Sequence, residues 1–237
     1  QPVDDLNLMG ESFNFEKDFI LKASLVLSDI KTVAFRIYNF NRDNMLKIEK
    51  LWPKIKEALT ITVRLLTTWG YSRDTLVSNN AVIPLVYYIL RKGNPKGIIT
   101  STDFAADRER MQRWLMRALL KRTFGGQSDN VLTNIRRVIS ESSDSFPEDE
   151  IYESLRGTAK SMAFDEDQID GLLDTRYGHS GTFTVLALLY PWLKFDQHFH
   201  IDHIFPRSMF KPKILRKNGI SKQERNRRGL YLFGILS

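Results

Sequence analysis

The chain has 237 residues, 42% of them hydrophobic and 27% charged, a balance that can bury a real core and argues against a disordered or fibrous protein. It contains no cysteine, which excludes disulfides and thiolate zinc sites, and its formal net charge is +7. The longest apolar run, TFTVLALLYPWL from Thr182, falls short of membrane-spanning length.

In chain order, most of the sequence reads as helices. EKDFILKASLVLSD places Phe19, Ile20, Ala23 and Leu27 on one face at a period of 3.6. KTVAFRIYNF alternates Val33, Phe35 and Ile37 and predicts a short strand or extended connector. A cap-like NRD precedes NMLKIEKLWPKIKEALTITVRLLTTWG, whose stripe is Ile55, Leu59, Leu66 and Trp69. Gly70 is a natural stop there, and Pro53 predicts a kink or a new first turn. Ser78 to Asn80 can cap AVIPLVYYILRKG, which is apolar nearly all round and is expected at the centre of the core.

STDFAADRERMQRWLMRALLKRTFGG carries the stripe Met111, Trp114, Leu115, Ala118 and Leu119, with two glycines to end it. SDNVLTNIRRVI and FPEDEIYESLRG read as amphipathic helices with Ser or Asp at their starts, and DEDQIDGLLDTRYG as one more. Trp52, Trp69, Trp114, Tyr87 and Tyr88 fall at core spacings and are read as core rather than as a base-stacking platform. Arg108, Arg110, Arg113 and Arg117 either line a DNA channel or form the wet face of a helix, the commoner case. There is no repeat of solenoid period and no low-complexity stretch. Residues 1 to about 180 are therefore expected to form a helical array.

The composition changes after Gly178. TFTVLALLYPWLKFDQHFHIDHIFP is rich in β-branched and aromatic residues and predicts a small extended module over 181–237. Within it, HFHIDHIFPRS (198–208) holds three of the four histidines beside an aspartate. In a strand, His198, His200 and Asp202 share one face, with Phe199, Ile201 and His203 on the other, and Pro206 ends the extended run. Neutral His and Asp bind divalent metals, and a His near its ordinary pKa is a natural general base. A zinc site from His198, His200 and Asp202 and a strand with merely hydrogen-bonded histidines are the competing readings.

The positive charge is concentrated just beyond. Arg207, Lys211, Lys213, Arg216, Lys217, Lys222, Arg225, Arg227 and Arg228 face Glu224 alone, so this segment nets +8 and the rest of the chain −1. Clustered cations are an electrostatic footprint for a phosphate backbone; a solvated basic tail is the plainer alternative. Cutting a phosphodiester needs a deprotonated water, a cation on the phosphate and leaving oxygen, and positive charge for the backbone. One Asp, one adjacent His and a basic tail supply all three.

HIDHIFP resembles the first signature of the HNH, or ββα-metal, nucleases, and more closely the His-x-x-His-Ile-x-Pro version of the GmrSD-type restriction endonucleases, which cut modified DNA. DFILKASLVLSD, SNNAVIPLVYYILRKG, WLMRALLKRTFGGQSDNVL, RYGHSGTFTVLALLYPWL and FDQHFHIDHIFPRSMF are similar to the helical and nuclease portions of those proteins, in the same order, so the resemblance covers nearly the whole chain. It implies that Asp202 holds a divalent cation such as Mg²⁺, that His203 deprotonates the attacking water, and that His200 adds to the metal shell or orients the phosphate. Ile204 and Pro206 match structural positions, and Arg207 with the cations after it would steer and clamp DNA.

Complete members of that family begin with a ParB-like nucleotide-using domain carrying an Asp-Gly-Gln-Gln-Arg-like motif, which this sequence lacks. The chain, without an initiator methionine, is accordingly expected to be the C-terminal part, and any nucleotide dependence belongs to an N-terminal domain or subunit not included in it. The family also continues into an Asn-Leu-x-Leu-Leu element whose Asn completes the metal site. This chain closes as ERNRRGLYLFGILS, where Asn226 either substitutes as a ligand or the module is incomplete and catalytically degenerate. The expectation is thus a mainly α protein: a multi-helix body with a small C-terminal HNH-like ββα-metal module, acting as a metal-dependent DNA endonuclease in bacterial anti-phage defence. The alternative is a DNA-binding or subunit-interaction module of the same family. QPVDDLNLMG shows no signal peptide, and a cytoplasmic, non-membrane protein is expected.

Overall fold

The computed structural model describes residues 2–9, 12–126, 128–142, 144–173, 175, 179, 181–191 and 207–223. Among these, residues up to Ala163 form one compact unit and those from Phe164 onward form a second. The described residues are mainly helical and include no β-strand. None of their helices is long and apolar enough to cross a membrane.

The first unit contains α1 (Pro2–Asn7), α2 (Lys17–Leu27), α3 (Arg42–Thr68), α4 (Ile83–Arg91), α5 (Ala105–Leu120), α6 (Asp129–Glu141) and α7 (Glu148–Leu155). Its centre is α4, buried at every position from Ile83 to Ile89. A helix with no polar face must be covered on all sides, and α2, α3 and α6 all pack on it. Trp69, Tyr87, Tyr88 and Trp114 are buried as the spacing predicts, while Trp52 is half-buried.

Local signals explain several helix ends. Asn41 caps α3 by accepting the Asn44 N–H at 3.0 Å. The same helix stops where Gly70 turns to a φ of +77° and the Tyr71 N–H reaches back to the Leu66 carbonyl at 3.0 Å. Between these ends α3 runs through Pro53 as one helix, so the proline starts no new element. Helix α5 reverses earlier than its glycines suggest. Arg122 takes the left-handed conformation (φ +48°), and the Thr123 N–H closes on the Ala118 carbonyl at 3.0 Å. Ser78 and Ser128 do not cap with their side chains. Instead Ser128 Oγ accepts from Lys22 Nζ at 3.0 Å, and Lys22 pairs with Asp129 at 2.6 Å, tying α2 to the start of α6.

KTVAFRIYNF forms no strand; its end is a 3₁₀ turn over Ile37–Phe40. The buried Asn39 amide donates to the Ala34 carbonyl at 2.6 Å, and the Asn39 N–H donates to the Arg36 carbonyl at 2.9 Å. These local bonds satisfy the backbone where a strand would need a partner.

A buried carboxylate joins three segments. Asp107, on α5, accepts the Tyr88 hydroxyl of α4 at 2.5 Å and the Phe146 N–H at 3.0 Å. The Phe146 ring stands perpendicular to Tyr88 at 5.3 Å and meets Trp114 edge-on at 5.6 Å. Burial, then the bond to Asp107, push the Tyr88 phenol far above its ordinary range.

The second unit contains α8 (Glu166–Leu173), α9 (Thr182–Leu189) and α10 (Pro212–Lys217). A capping box starts α8: the Gln168 N–H donates to Asp165 Oδ1 at 2.8 Å, and the Asp165 N–H donates to Gln168 Oε1 at 3.4 Å. Helix α9 corrects the expectation of extended chain from Thr182. A short apolar run is compatible with either a strand or a buried helix, and here Thr182, Thr184, Val185 and Ala187 are buried in helical register. The extended stretch expected from Phe199, with the ββα arrangement built on it, lies outside the described residues.

Two neighbouring tyrosines offer a controlled test. Tyr88→Phe strands a buried carboxylate oxygen and should cost about 1–3 kcal/mol in chemical denaturation. Tyr87→Phe removes a 2.7 Å bond to the exposed Asp29, which water can replace, and should cost clearly less. Because the Tyr88 phenol is raised in the folded state, its contribution is present below about pH 10 and is lost as pH rises above it. Alkaline titration of the folded fraction should therefore show a smaller loss in Tyr88→Phe than in wild type.

Candidate nucleic-acid interface

The described part of the basic segment is a short helical element. Arg207 opens a 3₁₀ turn over Arg207–Phe210, and Lys211, with extended backbone, stands at the N-cap of α10. Pro212 in the first turn suits a helix start, where its missing N–H is not needed. Gly219 ends the helix at a φ of +81°, with the Ile220 N–H bonded to the Leu215 carbonyl at 3.0 Å. Six residues are too few to hold a helix by hydrogen bonding alone. Leu215, 4% exposed, anchors it.

That anchor decides which way the cations point. With Leu215 inward and Ile214 half-buried, Lys213, Arg216 and Lys217 fall at i, i+3 and i+4 and are all exposed. Arg216 and Lys217 occupy the last turn, where the helix dipole favours positive charge. Lys211 and Lys222 are exposed to either side. No acidic residue occurs from Arg207 to Gln223. The element is therefore a small rigid platform with a cationic outer face and an apolar inner one.

His200, Asp202, His203, Asn226, Arg225, Arg227 and Arg228 lie outside the described residues, as does His198 of the alternative zinc site. Among the described residues no group of three or more His, Asp or Glu is disposed to hold a metal ion; the expected donors are not among them.

The arginines of α5 are half-buried and make contacts within the protein. Arg108 donates to the Ile98 and Ser101 carbonyls at 3.1 and 2.6 Å, and Arg110 to Ser145 Oγ at 3.3 Å. Arg113 grips the buried Glu148 at 2.7 Å, and the Arg117 guanidinium lies 4.7 Å from the Tyr152 ring centre. Each thus has at least one contact that helps to fasten α5 to its surroundings.

A second exposed surface was not anticipated from the sequence. In the first unit Ile37 is 91% exposed and Tyr38 58%, with Phe35, Met45 and Leu46 about half exposed beside them. The turn that carries them is pinned to α3, since Asn44 Nδ2 donates to the Asn39 carbonyl at 2.9 Å. Arg36 and Arg42, both exposed, are interleaved with these side chains. The signal was visible as Phe-Arg-Ile-Tyr, an arginine set between aromatic and aliphatic residues, but an alternating pattern reads first as a strand.

The chain matches none of the protein-family models against which it was scanned, and a search of curated proteins finds no match.

Hydrogen exchange tests the division of labour in α10. Leu215→Ala should lose most of the protection at the Leu215 and Asn218 amides, whereas Lys213→Ala, Arg216→Ala and Lys217→Ala should leave it in place. Equal loss in the charge variants would mean that those cations hold the helix rather than face a partner.

Proposed function

We propose that the chain is a metal-dependent DNA endonuclease of the HNH kind, the effector half of a modification-dependent restriction system acting against phage. One observation carries the reading: HIDHIFP stands immediately before an element that holds its cations outward on an apolar anchor. The pairing of a hydrolytic residue set with a ready phosphate-binding face is what a phosphodiesterase requires.

In this reading Asp202, His200 and Asn226 offer a carboxylate, an imidazole and an amide oxygen, a donor set suited to Mg²⁺ or another divalent cation. Such an ion, when bound, polarises the scissile phosphate and stabilises the leaving oxygen. His203 accepts a proton from the attacking water. The water oxygen bonds to phosphorus as the bond from phosphorus to the leaving oxygen breaks. Arg207, Lys211, Lys213, Arg216, Lys217 and Lys222, continued by Arg225, Arg227 and Arg228, hold the backbone on either side. A ParB-like domain or subunit would supply any nucleotide dependence.

A second reading of the same residues is a DNA-binding or subunit-interaction module of that kind with a degenerate cleavage centre. Plasmid nicking in Mg²⁺ separates the two. The endonuclease reading expects wild type to nick, and His203→Ala to abolish nicking while DNA binding persists. Unchanged cleavage in that variant would remove His203 from the mechanism, and DNA binding by a wild type that never cleaves would favour the degenerate module. Affinity should fall steeply with salt, and the triple variant Lys213→Ala, Arg216→Ala, Lys217→Ala should flatten the slope by about 0.9 for each phosphate no longer neutralised.

A further inference from the structure

We propose that the surface around Ile37 is a second nucleic-acid contact, in which Ile37 and Tyr38 press against a base step while Arg36 and Arg42 take the flanking phosphates. The inference rests on the reading of the chain as acting on DNA, and it places a contact in the helical unit that the histidine motif and the basic segment do not provide.

Three observations carry it. The first is exposure. A branched aliphatic side chain 91% exposed beside a tyrosine 58% exposed leaves apolar surface that no described residue covers. The second is rigidity. The turn is built from its own bonds: Asn39 Nδ2 to the Ala34 carbonyl at 2.6 Å, the Arg36 N–H to the Ala34 carbonyl at 2.8 Å, and Asn44 Nδ2 to the Asn39 carbonyl at 2.9 Å. Asn39, the residue that closes it, is buried, so the tip is held in place before any partner arrives.

The third observation is charge. Arg36 lies between Phe35 and Ile37, and Arg42, Lys47 and Lys50 follow along the exposed side of α3, with Asp43 and Glu49 among them and Glu16 and Asp18 in the depression beside Phe35. Arg36, Arg42 and Lys50 make no ion pair among the described residues, in contrast to Arg113 of α5. Exposed arginines without an ion pair among the described residues thus flank the apolar tip on both sides in the sequence.

That combination selects the partner. Proteins that enter DNA from the groove side insert a single Ile, Leu, Phe or Met at a base step and neutralise the adjacent phosphates with Arg and Lys. Strand-binding surfaces likewise combine an aromatic ring with a positively charged groove. An anionic membrane shares the charge preference, but stable attachment draws on a broad buried apolar face. Here Ile37 stands nearly free, and its apolar neighbours, 41–58% exposed, are broken up by Arg36 and Arg42, which makes a small surface crossed by charge rather than a continuous apolar face.

The test measures binding of the full chain to a labelled duplex across a salt series, with one strand carrying 2-aminopurine to report unstacking. Ile37→Ser and Tyr38→Ser, changed together, should weaken binding by about tenfold at unchanged salt slope and abolish the 2-aminopurine signal. Arg36→Ala and Arg42→Ala should each flatten the slope by about 0.9. All four side chains are exposed, so thermal melts should match wild type. If these variants bind as wild type while the Lys213, Arg216, Lys217 triple variant is weakened, this inference falls and the DNA reading stands. If neither set alters DNA affinity, both fall. Sedimentation with phosphatidylserine vesicles that the Ile37, Tyr38 variant loses, at unchanged DNA affinity, would assign the surface to a membrane and overturn the proposal.

Discussion

The first unit is organised around the Asp107 carboxylate. One oxygen accepts the Tyr88 hydroxyl and the other the Phe146 N–H, so a single buried group fixes α4, α5 and the segment leading into α7. A carboxylate taken out of water without partners is very costly, and this one leaves its neighbours little freedom. Phe146, held by that bond, fills the space between Tyr88 and Trp114. Lys92 Nζ on the Asp144 carbonyl at 2.6 Å and Arg113 on Glu148 at 2.7 Å secure the same segment from either side. Polar bonds therefore set the geometry within which the aromatic core packs.

This arrangement ties up charge. Arg108, Arg113 and Lys22 each bond to partners within the protein, so part of the positive charge of these helices serves the fold. Exposed cations stand on α10 of the second unit and around Ile37 of the first. In each case the charged side chains stand on a short element whose backbone is fixed by an anchor, Leu215 in one and Asn39 in the other. Pre-ordered cations lose less freedom on meeting a polyanion than a flexible tail would. Charge on a built platform, rather than net charge alone, is the property a nucleic-acid contact draws on.

Much of the helical body was legible in the sequence because its signals were local. The Asn41 cap, the Gly70 stop and the apolar α4 each depend on residues within a few positions, and each appears as read. What was illegible depended on tertiary context. Arg122 rather than Gly ends α5, because the Thr123 N–H finds the Ala118 carbonyl at a residue that propensity does not favour for a left-handed turn. Ser128 faces Lys22 of another helix instead of capping its own. Thr182 to Leu189 has strand-like composition, yet a run of that length has no period that distinguishes strand from helix. For the candidate site, sequence supplied the residue types and their order. The outward face of α10 needed the burial of Leu215, and the Ile37 surface needed the turn closed by Asn39.

The proposed chemistry turns on Asp202 binding a divalent cation beside the imidazole of His203. Mn²⁺, whose electron paramagnetic resonance signal diminishes on binding, probes this without reference to cleavage. Wild type and His203→Ala should both take up the ion, and Asp202→Ala should not. Undiminished uptake by Asp202→Ala, or none by wild type, would contradict that assignment.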